Sequence, residues 1–409
     1  MTKPEKKALV PALRFPEFWN KPEWKKTKLG DVCDMQAGKF VRASEIKDKT
    51  ADGLYPCYEG NGLRGFTETF THNGKYSLIG RQGALCGNIT LATDKFHATE
   101  HAVVVIPKEG VSTPLLYYML IYLDLNQFAT GQAQPGLSVE NLEKVPLSIS
   151  PEEDEQQKIA DCLTSLDDLI TAETQKLAAL KANKKGLMQQ LFPAEGETVP
   201  KLRFPEFRDA GEWEEKRLID VCEKIMDGTH FSPQSKSGSR LYLTSKNIQN
   251  GIIDLSNISY ISEEDHRKIY EKCPVKKNDV LLTKDGANTG NCAINSIDFE
   301  FSLLSSVAVL RGKALIIDHR FLYQLVLSDQ TQKIIQESMS GQAITRITLQ
   351  KIGGFLISMT SIEEQQKIAD CLSSIDELIT AQGEKIDALK LHKKGLMQQL
   401  FPVMEEVDA

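Results

Sequence analysis

The hydrophobic pattern has two regimes. From Ile159, positions taken alternately four and three apart read Ile159, Leu163, Leu166, Ile170, Glu173, Leu177, Leu180, Lys184, Leu187 and Leu191. A second stretch reads Ile368, Leu372, Ile375, Ile379, Gln382, Ile386, Leu389, Lys393, Leu396 and Leu400, with polar residues at the same two steps. A 3.5-residue period held over about five heptads predicts long coiled-coil helices whose seams meet. Ser150 and Thr360 ahead of acidic first turns, and Pro193 and Pro402 beyond the far ends, set the limits. The bland alternative is two independent amphipathic helices, each packed on its own domain.

Elsewhere the period shortens to two. Strands are expected at 75–79, 101–106, 279–283 and 306–310, and a helical segment follows in each region, around 114–128 and 319–339. This predicts an α+β domain occurring twice.

The chain repeats itself. Lys184 to Pro193 recurs identically as Lys393 to Pro402, and Glu155 to Leu163 recurs as Glu364 to Leu372. Leu13-Arg-Phe-Pro-Glu-Phe18 matches Leu202 to Phe207, while the middles share only faint traces such as Gly83 to Asn88 against Gly286 to Asn291, and Gly131-Gln-Ala against Gly341-Gln-Ala. The Gly83/Gly286 and Gly87/Gly290 pairs read as structural. Shared ends around divergent middles imply one fold with two different surfaces. The boundaries follow: an N-terminal segment 1–23, a first variable domain 24–150, a long helix 151–192, a linker 193–212, a second variable domain 213–358, a second long helix 359–402 and an acidic tail 403–409. A pseudo-two-fold axis relating the copies makes the helices antiparallel, bringing Lys184 toward Asp370 and Lys393 toward Asp161.

Composition narrows the classes. With 409 residues, 41% hydrophobic and 26% charged, the chain can form real cores. The apolar run from Leu115 to Leu123 is too short to cross a bilayer and reads as a buried helix. The charged N-terminus lacks a signal-peptide core, so a cytoplasmic location is expected. Eight cysteines without a Cys-x-x-Cys pair, with Cys33/Cys222 and Cys162/Cys371 recurring as repeat equivalents, favour buried core residues over a metal site. The net charge is −7, yet the first variable domain is neutral and the second nearly so; the acidity lies in the helices and tail. Neutral domains imply local basic patches, or a partner that supplies much of any phosphate contact.

No catalytic motif survives inspection. Phosphate-loop, dinucleotide and amino-methyltransferase signatures are missing. His97-Ala-Thr-Glu-His101 matches a zinc pattern that needs a helix, but it runs into a strand, so neither a metal site nor a catalytic site is assigned. The acidic clusters at 152–155 and 363–364 are explained by the helix macrodipole. What remains are polar, glycine-containing loops whose side chains suit base edges, although the same residues also make ordinary turns. The residues alone leave open a scaffold whose two modules bind proteins or glycans.

The twice-used Glu-Gln-Gln-Lys-Ile-Ala helix entry, the Lys-Lys-Gly-Leu-Met-Gln-Gln-Leu-Phe-Pro ending and loops such as Asp227-Gly-Thr-His-Phe-Ser-Pro233 and Leu281 to Gly286 resemble the specificity subunit of type I restriction-modification systems. That resemblance implies a non-catalytic chain with two target recognition domains, separated by two long antiparallel helices. Each domain reads one half of a bipartite site in double-stranded DNA, and the helix pair sets the spacer. It implies two modification subunits, which methylate adenine with S-adenosylmethionine, with or without motor-nuclease subunits that use ATP and Mg2+; this chain itself needs no cofactor. The DNA-facing candidates are Asn61, Arg64, Arg81 and Gln82 in the first domain. In the second they are Thr229, His230, Lys246, Asn247, Lys284 and Asp285. Gln132, Gln342, Thr345 and Arg346 are lesser candidates.

Overall fold

A computed structural model of the chain describes residues 9–83, 85–131, 135–230, 237–339 and 346–402. Gln132, Gln342, Thr345, Phe231 to Pro233 and the acidic tail lie outside the described residues. Two compact units divide at Thr174/Gln175 and at Gly383/Glu384, so each long helix gives one half to each unit.

The first unit has a four-stranded antiparallel sheet in the order Cys33–Ala37, Ala102–Pro107, Tyr76–Gly80, Ile89–Ala92. Its central strand reads Ala-Val-Val-Val-Ile-Pro, a continuous apolar run, because both faces are covered. One face meets the helix Thr113–Tyr122; the other meets Phe96, Ala98 and a second sheet built on Tyr55–Glu59, Gly62–Thr67 and Lys95–Ala98. Lys25–Lys28 pairs with Pro146–Ile149 just before the first long helix.

The second unit repeats the plan. Its four-stranded sheet runs Cys222–Asp227, Val307–Gly312, Val280–Thr283, Cys292–Ile294. Glu214–Arg217 pairs with Leu356–Met359 ahead of the second long helix. In both units the second sheet contains one parallel pairing, Tyr58 with Ala98 and Leu243 with Leu303.

The four expected strands form within one or two residues of their predicted limits. The helical segments are more broken than the pattern implied. Asp124, at φ 45°, ends the first helix before a short 3-10 turn at Leu125–Phe128. Ser328 splits the second into His319–Leu327 and Asp329–Ser338, its hydroxyl accepting from the Thr331 amide. An additional helix, Glu263–Tyr270, carries a Ser262 cap and Glu263/Arg267 and Glu264/Lys268 pairs. Ser262 three residues before Asp265, with i,i+4 Glu/Arg and Glu/Lys pairs behind it, is a helix-start signal present in the sequence itself.

The long helices span Glu153–Leu191 and Ile362–Leu400, 39 residues each. Within the first unit Ile159 and Leu163 share a core with Met397, Leu400 and Phe401; within the second, Ile368 and Leu372 share one with Leu191 and Phe192. In each unit the helix halves run antiparallel. Seam positions Leu166, Ile170, Leu177, Leu180, Leu187, Ile375, Ile379, Leu389 and Leu396 are half-buried, and Ile386 is buried.

The register differs from the expected one. Lys184 bonds both Asp376 oxygens at 2.7 and 2.8 Å instead of approaching Asp370, which pairs with Arg320. Lys393 bonds Asp167 at 2.6 and 2.7 Å instead of Asp161, which accepts from Gln157. The reason is packing: Lys184 lies over the Tyr323 ring and Lys393 over the Tyr118 ring, so each ammonium sits in a box of carboxylate and aromatic face. Cys162 and Cys371 are only half-buried, unlike the buried Cys33 and Cys222, whose thiols burial pushes up to about 12.

Glu155 and Glu364 do more than complement a macrodipole. Arg14 grips Glu155 through Nε at 2.6 Å and Nη2 at 2.9 Å, with both side chains at least 95% buried, and Arg203 grips Glu364 at 2.7 Å through both nitrogens. Gln156 and Gln365 each accept from one backbone amide and donate to two carbonyls. The two shared segments of each repeat are therefore one lock, in which fork geometry satisfies a charge that burial would otherwise make costly.

Candidate nucleic-acid interface

At one end of the first unit's sheets, five loops are tied by backbone hydrogen bonds. Gly38 donates to Ala102 at 2.9 Å and Lys39 to Ala98 at 2.8 Å; Thr99 donates to Tyr58 at 2.9 Å; Arg81 donates to His101 at 3.0 Å, and its carbonyl accepts from Leu137 at 2.9 Å. The second unit builds the same frame. Thr229 donates to Leu303 at 2.8 Å, Lys284 to Ser306 at 2.9 Å, and the Lys284 carbonyl accepts from Ile347 at 3.0 Å. Gly38 and Gly228 open equivalent loops, and a Cβ on either would lie 2.2 Å from the Ala98 oxygen or 2.0 Å from that of Leu303. Only glycine lets these loops approach so closely. Gly83, Gly87, Gly286 and Gly290 all have positive φ.

On equivalent frames the side chains differ. In the first unit Asn61 and Gln82 are exposed, Arg64 is exposed and paired with Glu59, and Arg81 is half-buried with its Nε lacking a hydrogen-bond partner. Gln82 lies opposite Gly136 in an isolated bridge. In the second unit, at the position of Arg81, Lys284 is 1% exposed and held between Asp285 at 3.0 Å and Asp227 at 3.3 Å. Asp285 also faces Arg346 at 3.7 Å, and His230, largely exposed, is 3.2 Å from Asp227. Lys246 is exposed.

Three of the sequence candidates are buried. Asn247 uses its amide locally, accepting from the Thr244 amide at 3.0 Å and donating to the Asp254 carbonyl at 2.9 Å. Thr229 is buried and bridges to Leu304, and the Lys284 ammonium is enclosed by its two carboxylates. Such groups shape a loop more readily than they meet a base, because their polar atoms already have partners.

The structure also adds residues. In the first unit Lys39, Phe40 and Arg42 are exposed in the loop equivalent to that of Thr229 and His230, and the His101 turn accepts from the Arg81 amide; in the second unit the Asn288 turn is tied to the Ser245 carbonyl. The signal was available: Gly38 and Gly228 are offset by one residue from the Leu13/Leu202 match. The His97-x-x-Glu-His101 segment is not helical: His97 lies within the strand Lys95–Ala98, and its ring nitrogens face the Thr69 hydroxyl and the Lys39 carbonyl. Among the described residues no group of three or more His, Cys, Asp or Glu could hold a metal ion, and no helix is long and apolar enough to cross a membrane.

A second matched feature lies on the helices. In the second unit a cleft is lined by Lys181, Lys185, Met188 and Gln189; in the first unit its counterpart is lined by Lys390, Lys394, Met397 and Gln398. These residues correspond at the repeat offset of 209, Lys181 and Lys390 just before the identical segment and the others within it, and the lysines and glutamines are exposed.

The duplication is also found by comparison with known proteins. The family described as type I restriction modification DNA specificity domain matches residues 21–182 and again 210–391. The chain belongs to this family. The chain is 40% identical to the Escherichia coli type I restriction enzyme EcoprrI specificity subunit over 154 residues, 37% of this chain and 38% of that protein. It is 24% identical to the Methanocaldococcus jannaschii type I restriction enzyme MjaVIII specificity subunit, over 95% of this chain and 93% of the relative. In fold it resembles the S subunit of a type I restriction-modification system from M. genitalium, with a TM-score of 0.63 at 16% identity, covering 97% of this chain and 100% of the other. A chain of another type I R-M system gives 0.52 at 15% identity over 93% and 97%. As a specificity subunit, the protein is a DNA-recognition component and not the catalytic one.

Proposed function

We propose that each unit reads one half of a bipartite site in duplex DNA through its loop end, and that the helix pair fixes the spacer between the halves. The observation that carries this is the pair of equivalent loop frames bearing unlike side chains: the backbone is kept and the reading groups are changed. In the first domain the reading groups are Asn61, Arg64, Arg81 and Gln82. In the second they are His230, Lys246 and Asp285, with Arg346 beside them. Arginine and lysine suit guanine O6/N7, Asn and Gln suit adenine N6/N7, and Asp accepts from cytosine N4.

Two modification subunits dock on the matched lysine and glutamine clefts of the helices. Corresponding helix residues at the two clefts support one partner species used twice, and such a partner also supplies phosphate contacts that two nearly neutral domains lack. S-adenosylmethionine belongs to those subunits, and ATP and Mg2+ to any motor-nuclease subunits; the assembly works on DNA in the cytoplasm.

The test is single-molecule sequencing of methylated adenines in cells expressing this chain with its modification subunit, against cells lacking the chain. A split motif, two short halves around unspecified bases, methylated only when the chain is present, is the expected result. No chain-dependent methylation from a soluble complex that also fails to bind duplex DNA would overturn the reading.

A further inference from the structure

The loop that follows the first strand of the first unit's main sheet carries an aromatic side chain with no protein partner to explain it. Phe40 is 71% exposed, the most exposed aromatic among the described residues. Its surroundings hold it there. Gly38 and Lys39 are anchored by backbone bonds to Ala102 and Ala98, the Lys39 carbonyl is bonded by His97, and Val41 is buried on the other side. A large apolar group is thus presented from an anchored loop, and leaving it in water is a standing cost in the free protein. On either side stand exposed cations, Lys39 and Arg42. The Arg81 and Gln82 loop, the Asn61 hairpin and the His101 turn lie at the same end of the sheet.

We infer that Phe40 is a wedge that inserts at a base step of the first half-site, with Lys39 and Arg42 holding the phosphates on either side. Apolar side chains that enter between bases unstack them and bend the duplex, and flanking cations offset that cost at the backbone. The position aligned with Phe40 in the second unit is His230, paired with Asp227, and the wedge is assigned to the first half of the site. This rests on the DNA-reading role proposed above and adds a shape-dependent element to it, in which the step beside Phe40 favours easily unstacked sequences.

The experiment uses the complete chain assembled with its modification subunits, on the duplex defined by methylation sequencing. 2-Aminopurine is placed singly through the first half-site, leaving out the methylated adenine. The wild-type complex is expected to raise fluorescence at one step. Phe40→Ala should abolish that rise and weaken binding about 5- to 150-fold, the range for loss of one aromatic stacked on a base. Phe40→Leu, still an apolar wedge, should keep the rise. Wild-type fluorescence and affinity in Phe40→Ala would overturn the proposal. So would a loss on replacing thymine by uracil as large as that of Phe40→Ala, because Phe40 would then touch a methyl group without entering the stack. If the wild-type complex binds no duplex, the DNA-reading role fails as well, an outcome visible before any variant is made.

Discussion

At the scale of single residues, like positions perform different tasks. Arg81 and Lys284 share a backbone frame, but Arg81 keeps a donor without a hydrogen-bond partner while Lys284 is enclosed by Asp227 and Asp285. Arg81→Ala should therefore leave folding nearly intact, cost about 1–3 kcal/mol of DNA affinity and relax one position of the first half-site. Lys284→Ala should instead destabilise the second unit by about 3–5 kcal/mol, because two carboxylates lose their cation. Comparing denaturation midpoints with DNA titrations for the two variants separates these roles. Titration adds another effect. Burial holds His72 and His319 below the usual histidine range, so the unfolded chain binds more protons than the folded one as pH falls. Their contribution is complete above the unfolded pKa and is lost on acidification through the folded values. Thermal unfolding should shift to lower temperature between about pH 7 and pH 5, and His319→Gln should flatten that dependence.

At the scale of elements, the helices are terminated and docked by the shared segments. The Arg14/Glu155 and Arg203/Glu364 forks join a segment before each variable domain to the helix after it. Glu155→Gln should cost about 3–5 kcal/mol, since it strands a buried guanidinium, and the companion Arg14→Met variant carrying Glu155→Gln should recover much of that loss. A full loss in the double variant would assign the energy to packing instead of charge. For the spacer, inserting one heptad into each long helix adds about 10 Å. The expected result is a longer gap between methylated half-sites or abolished binding; an unchanged gap would refute the ruler.

At the scale of the molecule, the two units are built from the same pieces with different covalent joins. In the second unit Leu202 donates to Gln190 at 2.9 Å, and Phe192 packs edge-on against Trp213. In the first unit Leu13 donates to Gln399 at 2.9 Å, and Phe401 packs edge-on against Trp24, although Leu13 and Gln399 are far apart in sequence. One unit thus holds together at this junction without the connection that the other possesses. Cleavage within residues 194–200 should consequently leave far-UV circular dichroism and the fold unchanged, with the fragments co-purifying. Separation of the fragments under native conditions would contradict it.

Periodicity, caps and exact repetition were sufficient to define the duplicated α+β plan, the long helices and their apolar seams, because those features depend on residue spacing along one element. The family resemblance likewise rested on segments read directly from the chain. Tertiary structure decided what spacing cannot express. The same polar loop residues became surface groups at Asn61 and Lys246 but buried fasteners at Asn247 and Lys284, since burial depends on what other loops bring beside them. It shifted the lysine pairs by six residues to Asp167 and Asp376, where Tyr118 and Tyr323 complete the boxes. It also joined Arg14 to Glu155 across 141 residues, a partnership that no local pattern contains because it exists only once the chain has closed on itself.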